Sequence, residues 1–344
     1  MKVFRGYQDS RRAQHCALTI GNFDGVHRGH QAMLALLRNE AQHRGVPSCV
    51  MTFEPHPRDY FAAAAKKPEL APARIATLRD KLTELASCGI DQCVVLPFNA
   101  ALAAQPAEAF IDEVLVKGLG AQYVLVGDDF RFGAKRTGDY AMLDAAGTRL
   151  GFDVARMNSY EVHNTRVSSS AVRDALGNGD MDRVASLLGR PYSISGHVVH
   201  GRKLGRELGF RTLNLRFSHW KPAASGIFAV QVHGLAEKSL AGVANLGIRP
   251  SLDADDVNGG RVLLETHCLE WPAGMGPEGA YGKIIRVELL HKLHDELKYD
   301  GLESLTAGIA KDCDDALAFF ARASGGVPAS LHTETSRQVT RDRI

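Results

Sequence analysis

The strongest constraint on this chain is a change of hydrophobic rhythm near Pro191. Upstream of it, short apolar runs alternate with amphipathic segments. "CALTIG" (16–21), "PSCVMTF" (47–53), "QCVVLPF" (92–98) and "YVLVG" (123–127) read as strands. Between them lie three stretches of helical period. Met33, Leu34, Leu36, Leu37 and Ala41 form the first, closed by Gly45; Ile75, Leu78, Leu82 and Leu85 form the second, stopped by Gly89. Phe110, Ile111, Val114, Leu115 and Leu119 form the third. Such alternation predicts βαβ units, and so a parallel sheet covered on both faces.

Downstream the pattern is different. A short helix in "GDMDRVASLLGRPY", capped by Asp180 and ended by Gly189, marks the seam. "YSISGHVVHG", "GIFAVQVHG", "LAGVANLG", "RVLLETHCLEW" and "GKIIRVELLHKL" follow as short strands between Gly- and Pro-containing turns, the pattern of an antiparallel barrel or sandwich. A last helix runs from about Leu302 to Ala323, and the polar tail after Gly325 has no periodicity. The expected organisation is one unit over residues 1–188, a second over 189–323, and a disordered tail over 324–344.

Composition excludes several classes. A net charge of +2 over 344 residues is too small for a nucleic-acid or membrane footprint. Six cysteines, at positions 16, 49, 88, 93, 268 and 313, contain no C-x-x-C pair, which points to free thiols and not to a disulfide or zinc framework. The opening "MKVFRGYQDSRRAQ" lacks the apolar core of a signal peptide, and no run reaches transmembrane length. A cytoplasmic, soluble protein is expected; no feature specifies an oligomeric state.

The chemistry concentrates in "TIGNFDGVHRGHQAML" (19–34), where a strand hands over to a helix. Ligands bind at the carboxyl ends of strands in open parallel sheets. A Gly-Asn-Phe-Asp-Gly turn there lets backbone approach a ligand, and a helix start offers free N–H groups to an anion. His27 and His30 add two imidazoles at the same spot. Fixed donors facing charge that develops at phosphorus are typically worth ~10²–10³ in rate each. With 14 His and 34 Gly, His-x-Gly-His arises by chance roughly 0.06 times per chain. The alternative is a pair of surface or N-cap histidines.

"GNFDGVHRGH" resembles the signature of the HxGH nucleotidylyltransferases, and in its longer form that of the prokaryotic bifunctional riboflavin kinase/FAD synthetases. "TFEPHP" (52–57), "VGDDFRFG" (126–133), "RVSSSAVRDAL" (166–176) and "GRKLGRELGF" (201–210) agree in the same order, so the resemblance spans roughly residues 15 to 320. It implies a Rossmann-like adenylyltransferase unit followed by a small β-barrel kinase unit. The first would transfer AMP from ATP to FMN, releasing pyrophosphate. Gly21, Asn22, Phe23, Asp24, His27 and His30 would surround the ATP phosphates, with Ser168, Ser169 and Ser170 at a second helix start and Arg173 one turn in. Taken alone, those serines read as a plain N-cap. Asp129 and Phe132 would contact the flavin, Phe132 by stacking, although a Phe after a buried strand is more often core.

The second unit has no Walker A sequence. "HGRKLGRELGFRTLNLRF" instead places glycines at 201, 205 and 209, and the resemblance identifies it with the ATP loop of riboflavin kinases. The family's Pro-Thr-Ala-Asn element reads Arg211-Thr212-Leu213-Asn214 here. Thr212 and Asn214 stand where the family binds Mg²⁺-ATP and offer the oxygen ligands that Mg²⁺ prefers. Arg211 in place of Pro frees φ and adds a charge beside the phosphates; Leu213 adds bulk. Glu265 matches the family's catalytic carboxylate, the base for the ribityl hydroxyl of riboflavin. Alternation leaves its face open, because Leu263, Glu265, His267 and Leu269 share one side and Val262, Leu264, Thr266 and Cys268 the other. His294 stands where family members usually carry Arg. Implied substrates are riboflavin, FMN and ATP, with Mg²⁺ as cofactor. Two alternatives remain: an adenylyltransferase with an impaired kinase unit, and a flavin- or nucleic-acid-binding barrel without turnover.

Overall fold

A computed structural model describes residues 1–162, 165–201, 209–217, 221–248, 262–276 and 278–323. Six parallel strands form the first sheet: β1 (Lys2–Arg5), β2 (Cys16–Ile20), β3 (Ser48–Glu54), β4 (Gln92–Pro97), β5 (Ala121–Gly127) and β6 (Asp153–Met157), in the order β1-β4-β3-β2-β5-β6. Strand β2 pairs with β3 on one side and β5 on the other. The order therefore reverses at β2, and the crevice beyond its carboxyl end is the natural ligand site.

The helical assignments refine the sequence pattern. Helix α1 (Arg28–Arg44) ends at Gly45, whose φ of 67° is the left-handed cap that glycine adopts readily. It buries Leu34, Leu37 and Ala41, whereas Leu36 is exposed, so the apolar stripe is narrower than the sequence suggested. After α2 (Pro57–Ala64) comes α3 (Leu78–Ser87), capped by Thr77, which leaves Ile75 in the preceding loop. Helices α4 (Ala100–Ala104) and α5 (Ala107–Ala109) lead into a π-helical segment, Phe110–Gly118, where a regular α-helix was expected. Helix α6 is Tyr140–Leu150. Successive β2 residues face opposite ways: Cys16, Leu18 and Ile20 join a core with Phe110, Ile111 and Leu143, while Ala17 joins another with Leu34, Leu37 and Leu85.

A short hairpin, β7 (Glu161–Val162) with β8 (Thr165–Arg166), precedes α7 (Ser169–Gly177) and α8 (Met181–Leu188). Six antiparallel strands then close a barrel: β9 (Tyr192–Val199), β10 (Thr212–Arg216), β11 (Gly226–His233), β12 (Leu240–Ile248), β13 (Val262–Cys268) and β14 (Ile284–His294). The closed barrel decides between the two expected architectures and leaves no open edge among these strands. Its interior is continuous with the apolar faces of α7 and α8: Val172, Leu176, Val184 and Leu187 lie in one cluster with Ile194, Leu215, Leu264 and Val287. Helix α9 (Leu302–Ala323) lays Ala316 against Ala229 and Val243 on the outside. The tail expected to be disordered lies outside the described residues.

Candidate active sites

The turn after β2 is wound through the left-handed region, with φ of 48° at Phe23, 86° at Gly25 and 40° at Val26. Its carbonyl oxygens are held one by one. Phe23 O accepts from Val26 N at 3.3 Å, and Asp24 O accepts from Ser169 Oγ at 3.0 Å. Asn22 O accepts from Thr52 Oγ1 at 3.2 Å. Gly25 is required twice over: by its φ, and because a Cβ there would sit 2.8 Å from the Ile75 side chain. Gly21 lies against the Phe23 ring, which is itself buried and sits 4.9 Å from the His30 ring. Phe23 is thus a floor beneath His30.

This turn delivers His27 to the N-cap of α1, where Nδ1 accepts from the backbone N–H of His30 at 3.3 Å. The two imidazoles stack with centroids 3.7 Å apart and planes 15° from parallel. Burial holds His27 down to about 4, outweighing the nearby Asp24 charge. Burial, then His27, also depresses His30 well below the ordinary histidine range. Both rings are therefore neutral at pH 7. Because Nδ1 of His27 accepts, its single proton sits on Nε2, which is left as a donor. Nδ1 of His30 is buried and has no hydrogen-bond partner among the described residues.

Asp24, expected beside the ATP phosphates, is buried in a network of donors. It is 1% exposed and accepts from Ile75 N, Ala76 N and Arg173 Nη2, the last at 2.6 Å, with Arg74 Nε at 3.9 Å. Burial opposes its charge, but Arg74, Arg173 and the two N–H groups prevail and hold its pKa below the usual carboxylate range. Arg74 in turn meets Asp59 at 2.8 Å and Glu54 at 3.5 Å. The serines divide their tasks. Ser168 caps α7 by accepting from Ala171 N, Ser169 ties the turn, and Ser170 is exposed. Arg173 also donates from Nε to Ala73 O at 2.7 Å.

Asp129 is exposed at the carboxyl end of β5. Phe132 is buried in the core cluster, stacked on Phe130 at 5.3 Å and beside Phe110 at 5.8 Å. Sequence reasoning missed Arg74 and Lys81. Lys81 is fully buried on α3, donates to Thr52 Oγ1 at 3.3 Å, and is pushed down to about 8, chiefly by burial. Isolated cations carry no periodic signal, and only the three-dimensional packing reveals them.

On the barrel, strand register answers the question that alternation left open. Val262, Leu264, Thr266 and Cys268 are buried, while Glu265 is exposed on the outer face. Asn214 of β10 and Asn245 of β12 lie directly opposite Glu265 on its two sides, and Thr212 lies opposite His267. Leu213 and Leu215 point into the barrel, so Thr212 and Asn214 share the outer face with Glu265. Oδ1 of Asn214 and Oδ1 of Asn245 are buried without a hydrogen-bond partner among the described residues. Buried amide oxygens of this kind call for a ligand. Asn245 was quoted within "GVANLG" but not singled out, since an Asn in a strand has no distinguishing signal until its neighbours are known.

Gly201 approaches Asn214 closely: a Cβ there would lie 2.4 Å from its Nδ2. Gly209 has a φ of 88°, and Gly205 lies outside the described residues. The two departures from the family element are both absorbed elsewhere. The Arg211 guanidinium stacks 4.3 Å over the Trp271 ring, and Leu213 fills the barrel core. His294 Nε2 meets Asp312 Oδ1 at 2.7 Å and joins β14 to α9. Among the described residues no cluster of three His, Cys, Asp or Glu could hold a metal ion, and no helix is long and apolar enough to cross a membrane.

Comparison with known proteins finds a family model on each part of the chain. The FAD synthetase family model matches residues 9–171, and the riboflavin kinase model matches residues 188–320. A bifunctional riboflavin kinase/FMN adenylyltransferase of Escherichia coli K12 is 44% identical over 93% of this chain and 98% of its own length. The Haemophilus influenzae protein of the same name is 41% identical, covering 93% of this chain and 99% of its own length. A Streptococcus pneumoniae crystal structure described as a macrolide-efflux protein aligns with a TM-score of 0.66 at 22% identity, over 91% of this chain and 97% of that one, and so shares the fold. The chain belongs to the family of bifunctional riboflavin kinase/FMN adenylyltransferases.

Proposed function

We propose that this chain makes FMN and then FAD: riboflavin and ATP give FMN and ADP at the barrel, and FMN and ATP give FAD and pyrophosphate at the end of β2. The observation that carries this reading is the stacked pair of neutral imidazoles at the start of α1, at the point where the strand order reverses. In adenylyl transfer an FMN phosphate oxygen attacks the α-phosphorus of ATP, and the bond to the pyrophosphate oxygen breaks. His27, through Nε2–H, and His30 stabilise the charge that develops on the α-phosphate. Helix N–H groups of α1 and α7 hold phosphate oxygens, and Arg173, oriented by Asp24, faces the departing pyrophosphate. Asn22 and the serines line the approach, and Asp129 stands at the flavin end.

At the barrel, Glu265 accepts the proton of the ribityl hydroxyl while its oxygen attacks the γ-phosphorus and ADP leaves. Thr212 and Oδ1 of Asn214, which has no partner among the described residues, fit a hard divalent cation and would hold Mg²⁺ together with ATP phosphate oxygens. Mg²⁺ when bound neutralises phosphate charge. Gly201 and Gly209 would contact ATP, and Asn245 flanks Glu265 on the side opposite Asn214. Six free thiols, four of them buried, suit a reducing compartment, the cytoplasm.

The test is a crossover. His30→Ala should abolish FAD formation from FMN and leave riboflavin phosphorylation intact; Glu265→Ala should do the reverse. Separation of flavins over time from riboflavin, ATP and Mg²⁺ reads both. Loss of both reactions in either folded variant would refute the two-site assignment.

A further inference from the structure

The left-handed turn before His27 needs an external hold. Val26 is β-branched and completely buried, yet its φ is 40°, a conformation that such a residue adopts only when its surroundings impose it. What imposes it comes from the seam to the barrel. Arg190 lies after α8 and two positions before β9. Its Nη2 donates to Gly25 O at 2.8 Å, and its Nη1 donates to Val26 O at 3.2 Å and Leu188 O at 3.1 Å. Its Nε meets Glu84 of α3 at 3.0 Å. Gln31, on the first turn of α1, donates from Nε2 to Val26 O at 2.9 Å and Leu188 O at 2.7 Å. Val26 O is thus gripped twice, and every side-chain nitrogen of Arg190 is engaged.

Arg190 lies within the riboflavin kinase match (188–320) and beyond the FAD synthetase match (9–171). The same seam carries a second tie, because Asp80, also on α3, accepts from Ser195 N of β9 at 3.1 Å. Helix α3 therefore meets the barrel through Asp80 and the clamp through Glu84.

We propose that Arg190 is a positioning residue for adenylyl transfer: from the kinase side of the seam it clamps the Gly25 and Val26 carbonyls and so fixes His27 against His30. This rests on the reading that the two histidines carry that reaction. Arg190 touches no reacting atom in this scheme; it acts on the geometry of the rings.

The experiment uses full-length protein with Arg190→Met, Arg190→Lys and His30→Ala, assaying FMN plus ATP and riboflavin plus ATP separately. Misplacement of reacting groups by about 1 Å costs up to ~100-fold, so Arg190→Met should lower kcat for adenylyl transfer roughly 10- to 100-fold. KM for ATP and FMN should stay within about threefold, the signature of lost transition-state geometry and not of lost ground-state binding. Riboflavin phosphorylation should be unchanged. Arg190→Lys, which keeps the Glu84 pair but cannot fork across two carbonyls, should fall between the parent and Arg190→Met. An unchanged adenylyl-transfer kcat in folded Arg190→Met overturns the proposal. So does a parallel fall of both reactions with the melting temperature. Should Arg190→Met not fold, Arg190→Lys decides by the same split, and failure of both to fold makes Arg190 merely structural and overturns it. If His30→Ala keeps adenylyl transfer, the underlying histidine reading is what fails; if His30→Ala is inactive while both Arg190 variants match the parent, only the role of Arg190 fails.

Discussion

Arg173 Nη2 donates to Asp24 Oδ2 at 2.6 Å, across 149 positions of sequence, and locks the turn after β2 to the helix that begins at the serine run. The carboxylate is buried against Arg173, Arg74 and the backbone N–H groups of Ile75 and Ala76, so it fixes where the Arg173 guanidinium points. Removing one partner of a buried ion pair strands the other charge. Asp24→Asn is therefore expected to cost about 3–5 kcal/mol in urea unfolding. In whatever fraction remains folded, FAD formation should fall further than FMN formation.

The depressed pKa of His27 has a pH consequence. In the folded chain it titrates near 4, whereas in the unfolded chain it titrates near its ordinary 6.5. Between those values the unfolded state takes up more protons, so stability falls as pH drops through this window. From pH 6.5 to 5 the loss attributable to this one ring is on the order of 2 kcal/mol. Urea midpoints at pH 7 and 5 should show that loss in the parent and a smaller one in His27→Asn.

Much of this arrangement was legible in the sequence, and what was not has identifiable causes. The β2–α1 junction was visible because strand, glycine turn and helix period all change within "TIGNFDGVHRGH". Strand β1 was missed because four residues, Lys2–Arg5, with a single buried side chain give no pattern. The face of Glu265 was ambiguous because Leu263, on its own outer side, is itself apolar and half-buried; the register against Asn214 and Asn245 resolved it. Phe132 carried two readings, and the structure places its ring in the core beside Phe110 and Phe130. Arg74, Lys81 and Arg190 were invisible, since each acts through partners far away in sequence.

Gly201→Ala tests the barrel site. A Cβ would press within 2.4 Å of Asn214 Nδ2, and the amide, at the end of a short side chain, must rotate away. Because Asn214 is buried, the overpacking should cost about 1–3 kcal/mol of stability. Riboflavin phosphorylation should drop, with KM for ATP rising, while FAD formation from supplied FMN continues at the parental rate.

Arg211→Ala separates packing from catalysis. The guanidinium is spent on the Trp271 ring, a contact worth about 0.5–1 kcal/mol where partly exposed. Thermal denaturation should register a loss of that size. Riboflavin phosphorylation should hold at the parental rate, because Thr212 and Asn214 keep their places in the ladder with β13.

The attachment of α9 should weaken in alkali. Partial burial disfavours the charged form of His294, yet the Asp312 carboxylate and the Asp295 carbonyl prevail and raise its pKa. A histidine whose pKa is raised in the folded state contributes fully below its unfolded value, near 6.5, and loses the contribution as pH climbs through the folded value above it. A partly exposed pair of this kind is worth on the order of 1 kcal/mol, and less at high salt. His294→Asn should therefore melt below the parent at pH 6 and converge with it as pH climbs past the raised folded value. Asp312→Asn should show the same convergence, because either substitution removes the same charge pair. A melting difference that stays constant across that range would mean that α9 is held by Ala316 and its apolar neighbours alone.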